Sequence, residues 1–369
     1  MRTFHDNKEL RRNEMTKFSK RSGCNKRVKH LERRFERLSE VLGDYKHDLA
    51  KRLYKTKRIF KKKVYAVDIH THSIFSDGRG TVHENYKAAI NCGLDFFFAT
   101  DHNSLGQKRA VKKWNNASWG QEPPAGSHHI GLLHPKRLFA PSKESNIASN
   151  FDKAKNIAPF VWIPHPVGWY SNTWYSNEMI ETLWTLGNSF AIEVINGANK
   201  IATAYDAFDK KAVSVWNKLL CDGRRVTALG GSDAHESNQI GTVWTGVYAA
   251  KCEAKSIIKA LNNGHSFASE APLLWLGCGK HIMGDEICKK RGTKTNINFA
   301  CCDSLGLHSI RLIKNGKIIK NIKAKDVPII LDSYQYTVEQ KSSYFRLECT
   351  AIDQRRAFSS PIYIKSSHK

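Results

Sequence analysis

Two imidazoles set two residues apart, in Asp68-Ile69-His70-Thr71-His72, open the chemistry of this 369-residue chain. In extended backbone that spacing turns both rings to one side. Two neutral imidazoles so placed can grip one cation, and Asp77, in Ser76-Asp77-Gly78, is close enough in sequence to serve a neighbouring one. The plain alternative is two unrelated histidines beside a turn. The same residue types recur downstream: Asp101-His102-Asn103, His128, Pro164-His165-Pro166, Glu193, and Ser232-Asp233-Ala234-His235.

Elements that position such residues can be read from the pattern. Val64, Tyr65, Ala66, Val67 and Ile69 form a β-branched and aromatic run that favours a buried strand. Further strands are expected over residues 94–99, 128–133, 160–163, 190–195, 226–230 and 243–248. Thr81-Val82-His83-Glu84 reads as a capping box opening a helix that ends near Gly93. Helices are also expected over 205–220 and 251–263. Seven strands alternating with helices point to a parallel barrel or a doubly wound sheet. On this map nearly every candidate residue falls at the C-terminal end of a strand, the face where parallel α/β barrels do their chemistry.

Composition sets the outer bounds. The chain is long enough for two or three domains with a sizeable core. It has no apolar run long enough for a membrane span and no apolar h-region near its start. Nine scattered Cys without CxxC spacing suggest reduced thiols and a cytoplasmic location. The net charge is +25, and residues 1–63 carry +14 of it. Between His30 and Phe60 an apolar stripe, Leu31, Phe35, Leu38, Leu42, Tyr45, Leu49 and Leu53, runs along a charged helix. This basic helical arm either binds nucleic acid or an anionic surface, or packs its stripe on the main domain or on another copy. After about Ser266 helical periodicity stops, and strands are expected over 294–300, 309–314, 344–352 and 361–364. Asn315-Gly316 is a hairpin signal.

Four motifs taken in order resemble the PHP (polymerase and histidinol phosphatase) domain: Asp68-Ile69-His70-Thr71-His72 with Ser76-Asp77-Gly78, Thr100-Asp101-His102-Asn103, His165-Pro166, and Gly231-Ser232-Asp233-Ala234-His235. Gly93-Leu94-Asp95, Glu193-Val194-Ile195-Asn196 and Met283-Gly284-Asp285 are similar to its CehA/McbA-like metallohydrolase branch. The resemblance implies an α/β fold: a distorted seven-stranded βα barrel over 64–278, a small β-sandwich over 279–369, and the arm over 1–63. It implies two or three divalent cations, Zn, Mn or Fe. His70, His72 and Asp233 would hold one. Glu122 would bridge to a second, held by His128, chosen over His129, and by His165. Asp77, His102 and His235 would form a third pocket. Glu193 would orient a ligand imidazole.

The chemistry this implies is hydrolysis of a small phosphate ester by metal-activated water. Asp233 would take the water's proton, and His235 or His102 would protonate the leaving oxygen. Arg79 and Lys200 are candidate anion-binding residues. Trp169, with Tyr170, Trp174 and Tyr175, would wall a substrate pocket or simply pack the loop. The competing functions are a carboxylester, amide or carbamate hydrolase on the same metals, a nucleic-acid-processing or nucleic-acid-binding protein acting through the arm, and a metal-free binding module.

Overall fold

The computed structural model describes residues 48–125, 128–142, 145–168, 175–184, 189–198, 200, 205–339 and 341–367. The chain divides after Asp48 into two units, and the second, Leu49–Lys369, holds the strands and the candidate site. Residues 1–47 of the expected arm lie outside the described residues.

The strands close on themselves. β1 (Tyr65–Asp68) lies parallel to β2 (Phe96–Ala99), and β2 lies parallel to β3 (Ala117–Gln121). β3 is antiparallel to β4 (Gly131–Leu133), which is antiparallel to β5 (Phe160–Trp162). A parallel bridge between Ile163 and Ile192 joins β5 to β6 (Ser189–Asn196), and β6 is parallel to β7 (Arg225–Gly231). A second parallel bridge, Thr71 to Ala234, brings the end of β7 back to the end of β1. Every strand of this circuit but β4 runs in one sense. Phe96-Phe97-Phe98-Ala99 is buried throughout, as a parallel strand covered on both faces should be. Val67, Phe96, Phe98, Leu133, Trp162, Ala191 and Leu229 share one apolar cluster.

Two expectations change here. The seventh strand of the circuit is β3, which no sequence pattern announced. Residues 243–248 give instead β8 (Trp244–Val247), antiparallel to β1. Ala117-Ser118-Trp119-Gly120-Gln121 has neither an apolar run nor clean alternation; its partners specify it. A Cβ on Gly120 would stand 2.6 Å from the carbonyl oxygen of Leu132, so β4 can approach only a glycine. The circuit is also mixed in direction because β4 inserts as an antiparallel hairpin.

The expected capping box is present: the Thr81 hydroxyl accepts the Glu84 N–H, and the Glu84 carboxylate accepts the Thr81 N–H, at the start of a helix over Val82–Asn91. A second box, Asp206 with Asp209, opens the helix Ala207–Cys221. Ile147–Ile157 and Asn177–Trp184 are helices the pattern had not marked.

β8 also pairs with Ser266–Ser269, which in turn pairs with Arg356–Ser359, so one hydrogen-bonded sheet continues into the C-terminal region. Leu273–Cys278, expected in the first domain, belongs to the ladders of the second region: it pairs with Lys294–Cys302, which pairs with Ile329–Thr337. Its run Leu-Leu-Trp-Leu suits either side of the boundary, so composition alone could not place it. Asn315 and Gly316, with φ of 46° and 77°, turn the expected hairpin between Lys314 and Lys317. The described cysteines are all free thiols, and no described helix is long and apolar enough to cross a membrane.

Residues 49–60, expected in the arm, are helical and dock on the C-terminal strands. Leu53 and Phe60 are buried, and Arg52 grips the buried Asp303 at 2.7 Å and Asp353 at 2.5 Å. Arg52→Met leaves the Asp303 carboxylate buried without its cation. The expected loss is about 3–5 kcal/mol of unfolding free energy, read as a fall in the urea midpoint at unchanged slope.

Candidate metal centre

The rim formed by the C-terminal ends of the strands gathers the polar residues. His70 and His72 leave β1, His102 follows β2, Glu122 follows β3, His165 follows β5, and Asp233 and His235 follow β7. β4 runs the other way, so His129, just before its start, reaches the same rim. The ends are stitched by backbone bonds: Asp233 N–H donates to His70 O, and His72 N–H donates to Ala234 O, both at 2.8 Å.

The centre is Glu122, which is buried. Its Oε2 lies 3.1 Å from His70 Nε2 and 3.3 Å from His72 Nε2, while Asp233 Oδ1 lies 3.4 and 3.1 Å from the same two nitrogens. Ligands about 2.0–2.1 Å from a tetrahedral cation stand ~3.3 Å apart, and these separations match that edge. His70 Nε2, both ring nitrogens of His72 and Glu122 Oε2 are buried and have no hydrogen-bond partner. Buried polar atoms are rarely left so; His70 Nε2, His72 Nε2 and Glu122 Oε2 share one small volume, while His72 Nδ1 faces outward, 3.7 Å from Asp77 Oδ1. The residues present therefore fit a divalent cation.

The other oxygen of Glu122, Oε1, lies 3.0 Å from His129 Nδ1 and 2.9 Å from His165 Nε2. His128, the expected choice, turns its ring to Tyr175 at 5.2 Å between centroids. Neighbours in a ladder point to opposite faces, so one of the pair had to face away. A third group, His72, Asp77, His102 and His235, lies further out; Asp77 Oδ2 is 3.5 Å from His102 Nε2 and 3.2 Å from His235 Nε2.

Hydrogen bonds at the far ring nitrogens fix the tautomers. His70 Nδ1 donates to Glu193 Oε1 at 2.8 Å, His102 Nδ1 to the Glu122 carbonyl at 2.6 Å, and His235 Nδ1 to the Asp233 carbonyl at 3.0 Å. A carboxylate or carbonyl only accepts, so each Nδ1 holds a proton, and in the neutral ring the lone pair then falls on Nε2. Trp162 Nε1–H also donates to Glu193 Oε1, at 3.1 Å, a support that no spacing rule announced. Asp101 anchors the turn before Asp77, accepting from the Ser73 N–H and from the hydroxyls of Ser73 and Ser76.

The electrostatics favour a cation. Burial opposes charge on His70, yet Asp233, Glu122 and Glu193 hold its pKa well above an ordinary imidazole. Burial likewise opposes ionisation of Glu122, and the surrounding imidazoles, His70 first, hold its carboxyl well below the usual range. Asp233 is held low mainly by His70 and His72 against the same penalty. Two residues of the site also sit in left-handed backbone, Asp233 at φ 47° and His165 at φ 23°. Such strain in non-glycine residues gathers where function over-determines the geometry.

Two of the candidate substrate residues, Arg79 and Lys200, are not drawn in. Arg79 is exposed and paired with Glu236 at 2.6 Å, while Lys200 lies 2.8 Å from Asp206 at a helix start. Trp169, Tyr170 and Trp174 lie outside the described residues. His134 stands apart, against Trp119 and the Ser118 hydroxyl.

A sequence profile described as PHP-associated matches residues 220–266. No curated protein matches the chain. Among solved structures, a two-domain protein containing a predicted PHP-like metal-dependent phosphoesterase from Bacteroides vulgatus is similar at 17% identity, over 82% of this chain and 95% of that one, with a TM-score of 0.46. The lesion-specific endonuclease EndoQ from Pyrococcus furiosus is similar at 14% identity, over 54% and 56%, with a TM-score of 0.39. A putative metal-dependent phosphoesterase from Bifidobacterium adolescentis is similar at 15% identity, over 47% and 88%, with a TM-score of 0.32. At these similarities the functional reading rests on the site itself.

Proposed function

We propose that this chain is a PHP-type, metal-dependent hydrolase of the CehA/McbA-like branch that cleaves a small phosphate ester. The circuit of seven strands is read as a distorted βα barrel and the C-terminal strands as a small β-sandwich. The observation that carries the proposal is the convergence of His70, His72, Glu122 and Asp233 with buried donor atoms left unpartnered around one point.

His70, His72, Glu122 and Asp233 would hold the first cation; Glu122, His129 and His165 would hold a second; Asp77, His102 and His235 would hold a third. When bound, cations in such a site acidify water and neutralise charge that builds on the phosphoryl oxygens. The chain's own residues do the rest. Asp233, kept ionised by its imidazoles, accepts the proton of the attacking water. His102 and His235, less buried than the inner pair, protonate the leaving oxygen when they carry a proton in place of a cation. Glu193 keeps His70 turned with its Nε2 inward.

His129→Ala is expected to weaken cation retention by about 10–100-fold in competition with a chromophoric chelator, while His128→Ala changes it less than about 2-fold. Equal losses in the two would remove the preference for His129, and a larger loss in His128→Ala would reverse it. The reaction class is tested with p-nitrophenyl phosphate, bis-p-nitrophenyl phosphate and aryl carboxylic esters, each with added Zn²⁺ or Mn²⁺. Turnover of a phosphate ester supports the proposal. Turnover confined to the carboxylic esters replaces it with the carboxylester, amide or carbamate alternative.

A further inference from the structure

Asn196 ends β6, three residues after Glu193, and is buried. Its side-chain amide N–H₂ group donates to two carboxylates at once, Glu193 Oε2 at 3.0 Å and Asp233 Oδ2 at 3.2 Å. Its side-chain oxygen accepts the Ala198 N–H at 3.0 Å. With two acceptors on one side and a donor on the other, only one orientation of the amide satisfies all three contacts. Its backbone N–H donates to Asp209 Oδ1 at 2.9 Å, and Asp209 Oδ2 accepts the Asp206 N–H at 3.0 Å, so the residue is tied to the start of the helix Ala207–Cys221.

The consequence falls on Asp233. With Oδ2 taken by Asn196, Oδ1 is the oxygen that faces His70 Nε2 and His72 Nε2. Glu193 is fixed in the same way. Its Oε1 takes His70 Nδ1 and Trp162 Nε1, and its Oε2 takes the His165 N–H and Asn196. One neutral amide thus lets two buried carboxylates share a neighbourhood and decides which oxygen of Asp233 points to the cation.

Resting on the metal-dependent reading of the site, we propose that Asn196 is a positioning residue: it presents Asp233 to the first cation through Oδ1 alone and thereby sets the affinity of that cation. Lys200 then has a structural role, since it lies 3.7 Å from Asp209, at the outer end of the chain Asp209–Asn196–Asp233.

The test is a titration of the full-length protein, stripped of metal, with Zn²⁺ and with Mn²⁺, comparing wild type, Asn196→Ala and Asn196→Ser. Alanine removes both donated bonds, and the serine hydroxyl can restore one. The expected result is about 10–100-fold weaker binding at the first cation for alanine, with serine between alanine and wild type. The step belonging to Asp77, His102 and His235, which Asn196 does not touch, keeps its affinity. Melting of the metal-free proteins supplies the readout for a merely structural role: a lowered melting temperature with unchanged cation affinity overturns the proposal. If alanine does not fold, serine decides alone, and wild-type affinity in serine overturns it. A wild type that takes up no cation removes the metal reading and this inference together; a wild type that binds while both variants bind equally well removes only this one.

Discussion

Glu122→Ala should abolish turnover and release more than one divalent cation per chain. Among the described residues, no other side chain faces so many of the imidazoles: Oε2 lies against His70 and His72, and Oε1 against His129 and His165. On the proposed assignment, removing it would withdraw one ligand from two cations together. The expected fall in kcat/KM is about 10³-fold or more, the scale of losing one preorganised electrostatic group, with additional loss from missing metal. Element content per chain, measured beside activity, checks the coupling. Lost activity with full metal content would mean that Glu122 acts in some way other than as a bridge.

Asp233→Ala is the second large effect. Here one carboxylate is asked to ligate the first cation and to accept the water's proton, so both functions go at once. Turnover should disappear and bound metal should fall by about one cation per chain. Asp233→Asn keeps the shape and one neutral ligand oxygen but cannot accept the proton. It should retain more metal than alanine while still losing about 10²-fold or more in kcat. Full activity in either variant with unchanged metal would refute the assignment.

How much of this was legible in the sequence depends on how local each signal is. His70 and His72 announce themselves because the chain is extended there and a spacing of two puts both rings on one side. Asp233 and His235 follow a buried strand in the same way. Glu122 carries no such mark, since β3, which delivers it, has no periodic pattern and exists because β2 and the approach of β4 to Gly120 define it. His128 and His129 are equivalent to any spacing rule; only the sense of the hairpin chooses between them. The orienting role expected of Glu193 corresponds to a bond to His70; its partner Trp162 comes from the neighbouring strand and has no sequence signature, and Asn196, three residues along the same strand, stands in the Glu193-Val194-Ile195-Asn196 stretch but gives no local sign of the carboxylates it bonds. The charge of residues 49–63 reads as an arm, yet Leu53 is buried and Arg52 finds partners 251 and 301 positions away, a distance over which composition is silent. Local backbone geometry was readable; long-range pairing was not.

Four side chains sharing a cation are the heart of the proposed enzyme. Crystals of the protein loaded with Zn²⁺ or Mn²⁺, with data collected at the absorption edge of the element, would locate that cation by anomalous scattering. The prediction is a peak about 2.0–2.2 Å from His70 Nε2 and His72 Nε2, bounded by Glu122 and Asp233. Fully loaded crystals with no peak among those four residues would contradict it.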